Sequence, residues 1–216
     1  MNKNTYLHLS LLIIALLVLV WSGINPYDRA TWYAEIAFGV VGIIVLIATY
    51  KRFQWSNLTY TLITIHCCIL FVGGKYTYAL TPIGEWLKPY LPRFLDFVMP
   101  IGRNNYDKIG HFAQGVVPAI IMREFFIRKK IVSSAAWRNF LIIWTCLGMS
   151  AFFEFIEWWS AIIAGSASDS YLGMQGFIWD AQSDMLMAFV GAILALLLLS
   201  RLHDKSMAKV EKSEMA

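Results

Sequence analysis

Three short stretches carry the residues whose types and spacing could do chemistry. In Asn105–Gln114 (NYDKIGHFAQ), Asp107 and His111 stand four residues apart, so on a helix they share a face. Glu154 and Glu157 in FFEFIEWW, and Asp180 and Asp184 in WDAQSDM, repeat the arrangement. Ionisable groups at the mouth of a membrane helix are costly unless paired or put to use. Several carboxylates in low dielectric repel one another unless a cation intervenes, and with one imidazole they suit Zn²⁺, Mn²⁺ or Mg²⁺. The expected chemistry is metal-assisted or acid/base catalysis by Asp107, His111, Glu154 and Asp184. The candidate metal ligands are Asp107, His111, Glu154, Asp180 and Asp184. Gln114, one turn below His111, could orient the imidazole or a substrate oxygen. Glu157 and Gln175 are further substrate-binding candidates, and Gln182 could add an amide at the rim.

Each of these residues also has a structural reading. Asp107 and Asp180 stand where carboxylates favour helix N-termini. Glu157, beside Trp158-Trp159, suits an interfacial aromatic belt. His111 could be a neutral imidazole hydrogen-bonded to one carboxylate. Lys108 is a candidate counter-ion, but one residue from Asp107 its side chain is expected to point elsewhere. His66, with no partner at useful spacing, reads as core packing. Glu35 either joins the cluster or snorkels outward.

The elements that must position these groups are membrane helices. The chain has 216 residues, 58% hydrophobic and only 15% charged, where soluble domains are nearer half apolar and a quarter charged. Its mean hydropathy is +0.57. The apolar residues fall in continuous blocks of roughly 18–25, the length that crosses a bilayer core. Continuous rather than alternating runs argue against a β-barrel. The expected fold is all-α: a polytopic transmembrane helical bundle of about six spans, with short interfacial helices in the third loop.

The spans read as Tyr6–Gly23, Trp32–Tyr50, Asn57–Gly74, Tyr106–Phe126, Trp137–Gly165 and Trp179–Ser200. Lys3 before the first apolar run resembles a signal peptide, but no small-x-small cleavage site follows, so a retained helix is expected. Between the third and fourth spans, four prolines (82, 89, 92 and 100) forbid one long helix, while Trp86, Tyr90, Phe94 and Phe97 keep the segment greasy. It reads as a lid over the polar cluster or as a packed connector. Pro118 should kink the fourth span. Residues 1–201 form one membrane domain, with the polar cluster on 105–192, and 202–216 a cytoplasmic, loosely ordered charged tail.

The net charge of +4 is distributed as topology rather than as a nucleic-acid face, because basic residues flank the hydrophobic runs. Lys51-Arg52, the group from Arg123 to Arg138, and the tail lysines fall on one side. This places both termini in the cytoplasm and the loop Gly165–Gly176 outside. At 1.5 Å per residue, His111 then lies about 6 Å below Asp107, and Glu154 about 24 Å beyond Arg138. Three helices thus bring acidic pairs to one outward level. The three cysteines, Cys67, Cys68 and Cys146, lie inside apolar runs and read as buried thiols without a disulfide.

The stretches NNYDKIGHFAQGVVPAIIMRE, FFEFIEWWSA and LGMQGFIWDAQSDM resemble the YjdF family of bacterial inner-membrane proteins, most strongly over Tyr78–Ala192. That resemblance implies a multi-span topology and supplies little mechanism. Asp107-Lys108-x-x-His111-Phe112, Glu154 and Asp184 are also similar to the pattern of VanZ-like membrane proteins, associated with glycopeptide resistance. The arginine usual before the last Asp of that pattern is absent; Gly176-Phe177-Ile178 occupies the region.

Three functions follow from these residues. The first is a metal-assisted envelope enzyme acting on a lipid or lipid-linked substrate, with membrane lipids as its surroundings. The second is a small transporter that couples cations or protons through the same carboxylates. The third is a noncatalytic scaffold or sensor, its helices tied by polar contacts. No G-x-S-x-G or H-E-x-x-H motif is present. No acidic route is expected through the cytoplasmic half, which counts against transport.

Overall fold

The computed structural model describes residues 3–164 and 175–214. The expected outer loop therefore lies, up to residue 174, outside the described residues. Among those described, every regular element is helical, as a polytopic membrane bundle requires. Five helices are long and apolar enough to cross a membrane. A sixth long helix, Tyr106–Arg128, has the length, but Asp107, Lys108, Arg123, Glu124 and Arg128 set its composition apart.

Caps and breakers fix the helix ends. α1 (Lys3–Gly23) stops before Asn25-Pro26. Asp28 then caps α2 (Arg29–Thr49), its Oδ1 accepting from the Thr31 amide at 2.7 Å. That hydrogen bond holds the Asp28 carboxyl below the usual carboxylate range. Ser56 caps α3 (Asn57–Lys75) through the Thr59 amide. Between α3 and the central helix lie α4 (Pro82–Leu87) and two 3-10 turns, Lys88–Tyr90 and Arg93–Leu95, as the prolines dictate. Trp86, Tyr90, Phe94 and Phe97 are exposed here, which suits the membrane interface.

The helices form two halves. α1, α2 and α3 pack around Ile36, Ile43, Ile63, Cys67 and Phe71. The other half joins α5 (Tyr106–Arg128), α6 (Ala135–Ala164) and α7 (Asp180–Leu194) around Ala119, Ile120, Ile142, Cys146 and Ala192. Packing of α3 against α5 connects the halves. The tightest seam is α5 on α7. A Cβ on Gly115 would strike the Ala188 carbonyl, and one on Gly191 would strike the Phe112 carbonyl. Ala119, Ala188 and Ala192 along the same seam are fully buried. Small residues let the two backbones approach, as in other membrane helix pairs, and that approach sets the height of the α7 carboxylates against α5.

The charged tail departs from expectation. α7 runs through a π-helical stretch, Ala195–Leu199, into α8 (Ser200–Glu214). His203, Met207 and Val210 of α8 are buried. The tail is ordered because these residues, one turn or so apart, give it a face to pack on the bundle. The Leu58 amide donates to Ser206 Oγ at 3.1 Å, and Asn57 reaches both His8 and Asn4. The N-terminal end of α1 and helix α8 therefore lie at the same end of the bundle.

Candidate functional site

The three acidic stretches converge at the opposite end of the bundle. Asp107 lies in the first turn of α5 and Asp180 in the first turn of α7. Neither is the N-cap, which is Asn105 in α5 and Trp179 in α7; both stand within the first turn, and the meeting of the two helix ends brings them together. Arg103 joins them. Its Nη1 donates to Asp180 Oδ1 at 2.5 Å, and its Nη2 to Asp180 Oδ2 at 2.9 Å and Asp107 Oδ2 at 2.5 Å. The two-pronged contact to Asp180 is the strong form of this ion pair.

Lys108 corrects the expectation that it points away. Its ammonium is fully buried at the centre of the three aspartates. It donates to Asp180 and, at 2.9 Å, to Asp184 Oδ2, and lies 3.4 Å from Asp107 Oδ2. The side chain is long enough to swing back over the first turn, which adjacency in sequence does not reveal. Asp107, Asp180 and Asp184 are close enough to share an ion, but the ammonium already contacts all three.

A second group forms one turn deeper. His111 Nε2 is 3.7 Å from both Glu154 Oε1 and Asp184 Oδ1. Ligand atoms of the three residues lie within 4.8 Å of one another. Glu154 Oε1, Asp184 Oδ1 and His111 Nδ1 are buried without a hydrogen-bond partner. Buried polar atoms are nearly always partnered, so orphans on three neighbouring side chains set this group apart, although the imidazole atom that faces the two carboxylates is Nε2 and the orphan is Nδ1. The Phe153 ring meets the imidazole edge-on at 5.7 Å, which fixes its orientation.

His111 and Asp184 of this group line a cavity of about 240 Å³ between the two halves. Glu157 and Gln114 line it, Gln114 beside His111. Glu35 is buried and faces the same space, so of its two expected outcomes it joins the cluster. His66, expected as core packing, is half-buried and reaches the cavity wall. Gln175 also lines it, but its amide clamps the backbone of Asn104: Oε1 accepts from the Asn104 amide at 3.1 Å and Nε2 donates to the Asn104 carbonyl at 3.0 Å. Gln182 is exposed and absent from the wall. Tyr78, which the sequence did not single out, lines the same cavity, and burial pushes its hydroxyl well above the usual phenol range.

The bundle carries a further polar cluster at the other end, unforeseen in the sequence. Glu124 is fully buried and accepts from the Ser56 amide at 2.7 Å, Thr59 Oγ1 at 2.6 Å and Arg128 Nη1 at 3.0 Å. His203 Nε2 lies 3.0 Å from Glu124 Oε2, and its Nδ1 lies 3.3 Å from Arg123 Nη1. A guanidinium only donates, so Nδ1 accepts and the Nε2 proton goes to Glu124. Acidic groups are thus not confined to one end. Buried Val117, Ala119 and Ile120 separate the two clusters along α5.

Comparison with known proteins fits this picture of a membrane bundle. The chain is 39% identical over 193 residues to the Inner membrane protein YjdF of Escherichia coli (strain K12), covering 89% of this chain and 88% of that one. No solved structure matches. The model of a family described as "Predicted membrane protein (DUF2238)" matches residues 7–205, and with nearly the whole chain spanned, the protein belongs to that family.

Proposed function

We propose that this inner-membrane protein binds a divalent cation between His111, Glu154 and Asp184 and uses it for hydrolysis or group transfer on a lipid or lipid-linked substrate at the outer face of the membrane. One observation carries the reading: three potential ligand atoms converge, and two carboxylate oxygens among them are buried with nothing to accept from. Metal–ligand bonds of about 2.0–2.2 Å put tetrahedral neighbours roughly 3.4 Å apart. The 3.7 Å from His111 to each oxygen is close to that value and too long for a hydrogen bond. Two carboxylates and one imidazole would be three protein ligands, the number found in catalytic rather than structural zinc sites.

In this reading the five candidate ligands divide by role. Asp184 would offer Oδ1 to the ion while its Oδ2 accepts from Lys108. Asp107 and Asp180 stay with Arg103 and Lys108, whose two charges keep the acidic cluster close to neutral. A bound ion would supply Lewis acidity toward a substrate oxygen. Gln114 and Glu157 would hold the substrate beside it.

The test is a set of melting temperatures in detergent, with and without Zn²⁺, Mn²⁺ and Mg²⁺. Wild type should be stabilised by one of these ions. Glu154→Gln and Asp184→Asn, which keep shape and remove the anion, should insert and fold but lose the shift. A wild type indifferent to all three ions would overturn the cation site.

A further inference from the structure

The cavity has a side wall as well as a roof. Its walls include Glu35 and Phe38 from α2, and Phe152, Phe153 and Glu157 from α6. Yet α2 packs on α3, α6 packs on α5 and α7, and α2 and α6 form no packing seam among the described residues. The gap between the halves is bridged by one aromatic pair, Phe38 and Phe153, with ring centroids 5.5 Å apart. Phe38 and Phe152 are each more than half exposed, at 51% and 56%. At mid-helix positions in a membrane bundle, that exposure is to lipid. Phe153, in turn, touches the His111 ring. A path from the bilayer therefore runs past Phe38 and Phe153 to the unpartnered atoms of His111 and Asp184, both more than nine-tenths buried.

The chemistry of the wall is one-sided. Glu35, Asp107, Glu157, Asp180 and Asp184 line the cavity, and among the described residues no Lys or Arg does. Lys108 and Arg103 reach the aspartates from behind. Glu35 from α2 and Glu157 from α6 both line the cavity, and Tyr78 stands in the same wall. Two carboxylates in one low-dielectric cavity favour a cation there. An anionic head group would meet only repulsion there. The volume of about 240 Å³ is below the roughly 300–1,000 Å³ of drug-sized ligand pockets, so a head group and a few chain carbons fit while the remaining chain stays in the bilayer.

We propose that the gap between α2 and α6 is a side portal, gated by Phe38 and Phe153, through which the cavity admits membrane-borne amphiphiles with a positively charged head group, held by Glu35 and Glu157. The inference rests on the proposed function only in that the head group would then lie beside His111, Glu154 and Asp184.

The experiment uses the full chain in nanodiscs of neutral phosphatidylcholine and a photoreactive long-chain alkylamine. Labelled peptides should map to cavity-facing positions of α2 and α6. Dodecylamine should compete, and dodecyl sulfate and dodecanol of the same chain length should not. Phe38→Trp, which narrows the gap from its lipid side, should cut labelling several-fold. Glu35→Gln with Glu157→Gln should abolish the preference for amine over alcohol. Melting curves on the same samples identify any variant that has lost its fold; the competition series in wild type decides the matter without variants. Labelling confined to outer, lipid-facing positions, or equal competition by sulfate, overturns the portal. The ion-dependent melting shift is read on the same wild-type and Glu35→Gln/Glu157→Gln samples. Failure of the portal therefore shows as loss of selective labelling with the ion shift intact, and failure of the cation site as the reverse.

Discussion

Lys108 donates through Nζ to Asp184 Oδ2 at 2.9 Å, while the other oxygen of that carboxylate, Oδ1, has no hydrogen-bond partner and faces His111. One side chain thus belongs to two systems. Its first oxygen neutralises a buried ammonium; its second is left for whatever enters beside His111.

The ammonium can be tested directly. Lys108→Met keeps much of the volume and removes the charge that three aspartates share. Losing one partner of a buried ionic group costs about 3–5 kcal/mol. We expect a clearly lower melting temperature in detergent, with the protein still inserted. A Lys108→Met protein as stable as wild type would show that the aspartates do not depend on this ammonium.

The α5–α7 seam makes a prediction of geometry. Gly115→Val places methyl groups on the Ala188 backbone, which cannot yield as a side-chain tip would. Overpacking of this kind costs about 1–3 kcal/mol or more. Because the seam also sets the height of Asp180 and Asp184 against Lys108, Gly115→Val should weaken any divalent-ion stabilisation as well. Gly148→Ala is the control: its added methyl meets nothing within 4 Å, and thermal unfolding should be unchanged or slightly later.

At the other end, Glu124 serves four donors from α3, α5 and α8, counting His203 in the Nε2–H form. Glu124→Ala takes this acceptor from the Ser56 amide, Thr59 and His203, while Arg128 keeps the Gln54 carbonyl, and should cost about 3 kcal/mol or more. His203→Ala removes one donor and a packed ring, and should cost less. Limited proteolysis of the C-terminal segment, alongside melting curves, would report α8 detaching in Glu124→Ala. Resistance equal to wild type would mean that α8 is held by its apolar face alone.

Orientation is checked by reporter fusions. From charge bias we expect Lys51-Arg52, the Arg123–Arg138 group and both termini in the cytoplasm. A fusion after Ala216 should be active only as a cytoplasmic reporter, and one inserted near Tyr90 only as an external one. The opposite result would turn the cavity mouth and its substrate to the cytoplasmic face.

Much of this molecule follows from its sequence. Apolar blocks of membrane-crossing length between Asn25-Pro26, Lys51-Arg52 and the proline-rich third loop dictate helices and their ends, because no other backbone satisfies its own hydrogen bonds in lipid. The spacing of Asp107 with His111, and of Asp180 with Asp184, already put each pair on one helix face. Depth counted along each helix was enough to expect the pairs at one level. Tertiary structure alone decided the rest. Arg103 and Lys108 become counter-ions because α5 and α7 meet at their N-termini, brought together by Gly115 and Gly191, whose importance lies in a backbone approach that no local pattern encodes. Arg103 did stand four residues before Asp107, the one signal that could have marked it. The tail reads as solvated charge until Glu124, 79 residues away, supplies a buried partner for His203. Lys108 reads as pointing away from Asp107 because helical periodicity fixes where a Cα sits, whereas a four-carbon side chain goes where the neighbouring helix offers it an anion.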